Sequence, residues 1–229
     1  LHREPGYPRF FLLLSVFVVG LLLVVLAGDL TLIFIGWELI GLSSALLVAF
    51  FFDRPQPVRN GIRVFAVYRV GDVALLGAAV LVHHQLGDTS LAALAAASGP
   101  DGLGQLTYAN AATIGLLLLL AAMVKSAQVP FSGWLPRAME GPTPSSAIFY
   151  GALSVHAGAY LLLRCSPLLL ATPVGAVATT TVGLATALVA TWVARAQTDI
   201  KSALAFATLT QVGLIVAEIG LGLRTLALV

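Results

Sequence analysis

The chain has 229 residues, 59% of them hydrophobic and only 10% charged, with a formal net charge of +2. Soluble domains carry about a quarter charged residues, so this composition points away from a soluble fold. The near-balanced charge gives no basis for a nucleic-acid partner, and the single cysteine, Cys165, excludes an internal disulfide and a thiolate metal cluster.

Seven apolar stretches follow one another along the chain, at 10–27, 30–52, 62–84, 109–140, 143–164, 174–195 and 200–221. A bilayer core about 30 Å thick needs roughly 20 apolar residues per helix, and these stretches meet that length. They are apolar on all faces rather than alternating, which rules against membrane β-strands. The predicted fold class is therefore all-α, a polytopic membrane protein of about seven transmembrane helices. The start, "LHREPGYPRFF", lacks a charged region leading into a small-residue cleavage site. A chain that opens on Leu1 and stops at "RTLALV" is expected to be a piece of a longer polypeptide.

With seven spans, eight Lys/Arg residues fall on the N-terminal side and two, Arg164 and Arg224, on the other. The positive-inside rule then places the N-terminus in the cytoplasm, in a multi-pass protein of the cell inner membrane. The polar connection 85–108 contains "GPDGLGQ", but no strand precedes it and no GK[ST] follows, so it reads as a turn rather than a phosphate loop. His83 and His84 at a span end read as interfacial, and Asp29 and Asp53 as solvated helix-end residues.

The stretch 109–140 is too long for one straight span, and "QVPFSGWLPRAMEGPTPSS" packs Pro130, Pro136, Pro142 and Pro144 close together. Proline removes an amide donor and clashes with the preceding turn, so a broken helix at Pro130 is predicted. Interrupted backbone at membrane depth survives only where it is buried in protein or faces a wet cavity, and such breaks recur at ion and substrate sites.

Ionisable residues within spans are costly and mark function by default. Five stand out: Glu38, the pair Arg69 and Asp72 at i,i+3, Lys125, and His156. Plainer roles exist for some of them. Arg69–Asp72 reads equally as an ion pair fixing helix packing, Glu38 as a neutral acid bonded to a neighbouring helix, and His156 as a satisfied core histidine. Lys125 has no partner within its own helix turn. The carbonyls left without donors before Pro130, together with the partial negative charge of a helix C-terminus, are expected to hold its ammonium. A buried ammonium whose proton responds to a nearby carboxylate is the chemistry of a proton relay. There is no HExxH and no CxxC, and a single mid-span histidine cannot form a facing haem-ligand pair, so no cofactor or redox centre is expected in this chain.

The segments "FIGWELIGLSSALL", "YRVGDVALL", "MVKSAQVPFSGWLPRAMEGPTPSSA" and "ARAQTDIKSALAFATLTQVGLI" together resemble the antiporter-like, proton-translocating membrane subunits. That family includes subunit L of NADH-quinone oxidoreductase (respiratory complex I), the large Mrp antiporter subunit and a related inorganic-carbon-uptake membrane subunit. The resemblance covers essentially the whole chain. It implies two inverted five-helix repeats, each with a broken helix: residues 8–164 would form the first repeat and 174–221 the start of the second, within one proton-conducting domain spanning 1–229. It also implies that Glu38 is the switch glutamate, Lys125 the relay lysine, and Arg69–Asp72 the supporting pair, with other membrane subunits of a larger complex as partners. One position departs from the pattern. Subunit L carries a histidine shortly after G-P-T-P where this chain has Tyr150, and His156 comes six residues later, about 9 Å along a helix. Proton translocation is the reading this resemblance favours, with His156 as the next proton carrier. Mrp-type cation/proton antiport, energising of inorganic-carbon uptake, and a non-conducting scaffold are the alternatives.

Overall fold

The computed structural model describes residues 5–99, 106–147 and 153–228. Helix α1 (Tyr7–Leu26) opens with Pro8 in its first turn, where the missing amide costs nothing. The chain turns at Ala27–Gly28 into α2 (Leu30–Val48), which is capped by Asp29 accepting from Leu32 N at 2.8 Å. Helix α3 (Pro55–Leu86) has 32 residues, about 48 Å of helix, so it exceeds a bilayer core. Its start lies seven residues before the predicted 62, because Pro55 and Pro57 both sit in the first turn, where proline is tolerated.

The connection after α3 is more ordered than a turn. It folds into α4 (Leu91–Ala97), capped by Ser90, with Leu91, Leu94 and Ala97 buried on one face. Leu30 N donates to Thr89 O at 3.0 Å and Leu91 N to Gly28 O at 2.9 Å, which ties this connection to the α1–α2 turn. Just outside the spans, Asp88 accepts from the Ser90 hydroxyl and amide, and these bonds hold its carboxyl below the usual range. Most of "GPDGLGQ" lies outside the described residues.

Helix α5 (Tyr108–Lys125) ends five residues before Pro130. A short 3₁₀ turn (Phe131–Trp134) and α6 (Leu135–Ala138) follow. Next come α7 (Thr143–Ser145), α8 (His156–Arg164) and α9 (Ser166–Leu170). The long hairpin of α10 (Pro173–Ala194) and α11 (Ile200–Gly220) completes the bundle.

Six of these helices are long and apolar enough to cross a membrane. The seventh predicted span, 143–164, is not a single long helix among the described residues; α7 and α8 are its described helices. Prolines 142 and 144 and the Ser145 and Ser146 hydroxyls, which both bond the Pro142 carbonyl, set a local geometry at its start. Its two ends nevertheless lie at opposite ends of α2. A side chain at Gly141 would touch Leu47 O at 2.9 Å, whereas Arg164 donates to Ala27 O at 2.8 Å, just before α2 begins.

Two apolar clusters stack along the bundle. One holds Leu30, Ile33, Trp37, Ala74, Leu75 and Leu118, and the other Ile40, Leu47, Val64, Tyr68 and Val124. Trp37 of the first cluster and Tyr68 of the second both flank the Lys125 ammonium, so Glu38, Arg69, Asp72 and Lys125 form a polar layer where the two clusters meet.

Candidate functional site

Three helices meet at that layer. α2 contributes Trp37, Glu38 and Gly41; α3 contributes Tyr68, Arg69 and Asp72; α5 contributes Lys125 at its last residue. The i,i+3 and i,i+4 spacings place each helix's contributions on one side. Arg69 Nη2 lies 2.7 Å from Glu38 Oε2 and 2.6 Å from Asp72 Oδ2, so one guanidinium joins two carboxylates from two helices. Its plane also lies over Phe65, 4.6 Å from the ring centre. Asp72 is buried, whereas Arg69 and Glu38 are 39% and 28% exposed on the flank of the bundle.

Lys125 is fully buried. Its ammonium donates to Trp37 O at 3.1 Å and lies 4.3 Å from the Tyr68 ring centre and 4.8 Å from that of Trp37. Such cation–π contacts strengthen when the cation is desolvated. Asp72 and Glu38 are within electrostatic reach of this ammonium. The four ionisable groups of the layer are thus two carboxylates and two cations, held by contacts in which either cation's movement changes the field at the other.

The carbonyls at the end of the broken helix, expected from the sequence to hold Lys125, take other donors. Ala122 O accepts from Ser126 N at 2.8 Å, and Met123 O from Gln128 N at 2.8 Å. Val124 O accepts from the Trp134 indole at 2.9 Å, and Ser126 O from Gln128 Nε2 at 3.0 Å. Val129 N donates to Thr186 Oγ1 of α10 at 3.0 Å. The turn, with Ala127 in the left-handed region at φ 51° and Pro130 after it, is therefore closed by its own side chains and by α10. Lys125 reaches instead across to α2, where its ammonium donates to Trp37 O.

His156 is the first residue of α8, partly buried; its neighbour Val155 accepts a hydrogen bond from the Ser126 hydroxyl, which docks the start of α8 on the break. Tyr68 and Ser154, the latter two residues before His156, are both fully buried. Tyr150 lies outside the described residues. Trp37, Tyr68 and Gly41 are site residues that the sequence reading did not single out. Their signal was adjacency: Trp37 precedes Glu38, and Tyr68 precedes Arg69.

The comparisons with known proteins converge with this geometry. The transmembrane family described as NADH:quinone oxidoreductase/Mrp antiporter matches residues 27–228. NADH-quinone oxidoreductase subunit L of Mycobacterium tuberculosis is 40% identical over 220 residues, covering 96% of this chain and 34% of the relative. A probable inorganic carbon transporter subunit, DabB1 of Halothiobacillus neapolitanus, is 38% identical, covering 98% of this chain and 40% of the relative. Among solved structures, that of the Mrp complex from Dietzia sp. DQ12-45-1b superposes with a TM-score of 0.84 at 37% identity, covering 92% of this chain and 23% of that one. The chain spans about a third of the length of the curated subunit L relatives it matches. On the family match over residues 27–228 and the identity to these relatives, this chain belongs to the NADH:quinone oxidoreductase/Mrp antiporter transmembrane family.

Proposed function

We propose that this chain is the proton-translocating part of an antiporter-like subunit in a larger membrane complex of the NADH-quinone oxidoreductase type. Glu38 acts as an electrostatic switch, Lys125 as the relay, and His156 as the next carrier. The observation that carries this reading is the Lys125 ammonium, fully buried and held by one carbonyl and two aromatic faces, with no carboxylate as its hydrogen-bond partner. Its neighbouring carboxylates are engaged by Arg69. A shift of Arg69 toward or away from Glu38 and Asp72 changes how much negative charge Lys125 feels, and hence where its proton rests. The same reading makes residues 8–164 the first of two inverted repeats. It also places the protein in the cell inner membrane with the N-terminal side cytoplasmic, alongside other membrane subunits.

The test is Lys125→Ala in the full-length protein within its complex, reconstituted into proteoliposomes. Proton translocation is expected to fall to background while the complex stays assembled; near-normal pumping would sink the assignment. A second reading, cation/proton antiport, is favoured by the likeness to the Mrp complex structure. Replacing Na⁺ with choline separates the two, since Na⁺-dependent pH changes support antiport and Na⁺-independent ones support proton conduction.

A further inference from the structure

Helix α2 holds two buried glycines with opposite surroundings. A methyl carbon built on Gly36 would lie 2.6 Å from the Gly20 carbonyl oxygen and 2.9 Å from Val24 N, so that glycine serves the crossing of α1 and α2. A methyl carbon on Gly41 would instead meet side-chain atoms: Lys125 Nζ at 3.1 Å, Tyr68 Cδ2 at 3.4 Å and Arg69 Nη2 at 3.9 Å. No close backbone crossing requires this glycine, and within a helix it is unfavourable relative to alanine. The space it leaves faces both cations of the polar layer.

The geometry of an α-helix explains what that space does. The carbonyl of Trp37 points along the helix toward the amide of Gly41, its i+4 partner, and retains a second lone pair. The Lys125 ammonium takes that lone pair at 3.1 Å, approaching past Gly41 while Trp37 and Tyr68 wall the other sides. A side chain at position 41 would stand in this approach.

We propose that Gly41 is a positioning residue, whose missing side chain opens a three-sided cation site, formed by Trp37 O and the Trp37 and Tyr68 rings, in which the Lys125 ammonium docks. The same opening joins Lys125 to the Arg69 side, so an ammonium leaving the Trp37 carbonyl toward Asp72 and Glu38 passes over Gly41. This deepens the proton-relay reading and rests on it for its functional consequence; the docking itself does not depend on that reading.

The experiment uses the full-length protein in its complex, with lysine isotopically labelled and Lys125 assigned by the signal lost in Lys125→Arg. In the parent, the Lys125 ε-methylene resonance is expected to be shifted upfield by the two aromatic rings. In Gly41→Ala, whose methyl presses on the Lys125 Nζ at 3.1 Å and meets Tyr68 at ordinary contact distance, assembly is expected, the ring shift should shrink measurably and proton flux should fall. Gly41→Leu, which fills the space, should abolish the shift and lower flux at least tenfold. Retention of the ring shift, with or without a loss of flux, overturns the docking site. Loss of the ring shift with unchanged flux overturns its role in transport. Should Gly41→Ala fail to assemble, Tyr68→Leu removes one aromatic wall without adding bulk; the ring shift should then shrink, and an unaltered shift counts against the proposal. Normal pumping by Lys125→Ala would remove the relay reading while leaving the ring-shift result to judge the docking on its own.

Discussion

Arg69 is the residue on which the charged layer turns. Its terminal nitrogen Nη2 alone reaches carboxylates on two helices, at 2.7 and 2.6 Å, while the rest of the guanidinium lies over Phe65. Replacing it with methionine removes the cation that contacts both carboxylates and leaves Lys125, which bonds neither, as the nearest positive charge. Removing one partner of a fully buried pair costs about 3–5 kcal/mol; because Arg69 and Glu38 are partly exposed, the expected loss is smaller, on the order of 2 kcal/mol. It should appear as a lowered melting temperature of the detergent-solubilised complex, with Arg69→Lys falling between parent and Arg69→Met. An Arg69→Met protein as stable as the parent would show that the two carboxylates do not depend on Arg69. The i,i+3 spacing of Arg69 and Asp72 was legible in the sequence because it is local to one helix. The bond to Glu38 was not, because it joins residues 31 positions apart on two helices.

At the scale of helices, α2, which carries Trp37 and Glu38, is set against α1 by a pair of glycines. Gly20 and Gly36 face each other, and a Cβ on Gly36 would press on backbone that cannot move aside. Gly36→Val is expected to force the crossing apart and prevent assembly, while Gly36→Ala should cost about 1–3 kcal/mol, both read from the yield of assembled complex by native electrophoresis. Full assembly of Gly36→Val would show that the crossing is looser than described. The helix break belongs to this scale as well. Four prolines marked where a straight helix is impossible, but not which donors would meet the freed carbonyls. The indole of Trp134 and the amide of Gln128 do so, and Thr186 on the distant α10 takes up Val129 N. Lys125 bonds Trp37 O on α2 rather than the carbonyls of the break that the sequence led one to expect.

Across the whole molecule, apolar side chains cover the outer faces of α1, α3 and α10, among them Leu26, Val73 and Trp192. Glu38 and Arg69 interrupt that surface between the apolar clusters. Lipid does not solvate an ion pair well, so this flank is where another polypeptide segment is expected to lie. The proposed orientation is testable at this scale. With Cys165 replaced by serine, single cysteines are placed at the exposed Asp53 and Asp88. A membrane-impermeant maleimide should label the cysteine at 88 in cells whose outer face alone is accessible, and the one at 53 only after permeabilisation; the reverse pattern would invert the topology. Lys/Arg bias supports the orientation because basic loops resist translocation, a property of sequence that the fold does not alter.

The membrane class, the approximate place of six long apolar helices, an interruption near the proline cluster and the presence of ionisable residues inside apolar stretches could all be read along the chain. Each of these follows from the cost of placing polar atoms in hydrocarbon or from proline's missing amide, and both act locally along the chain. Only the tertiary structure decided that Arg69 bridges Glu38 to Asp72, that Lys125 rests on Trp37 and Tyr68 beside Gly41, and that the 3₁₀ turn and α10 close the break. Those contacts join residues far apart in the chain. They depend on which groups the packed helices bring within reach of one another, a quantity set by the assembled bundle rather than by any one segment.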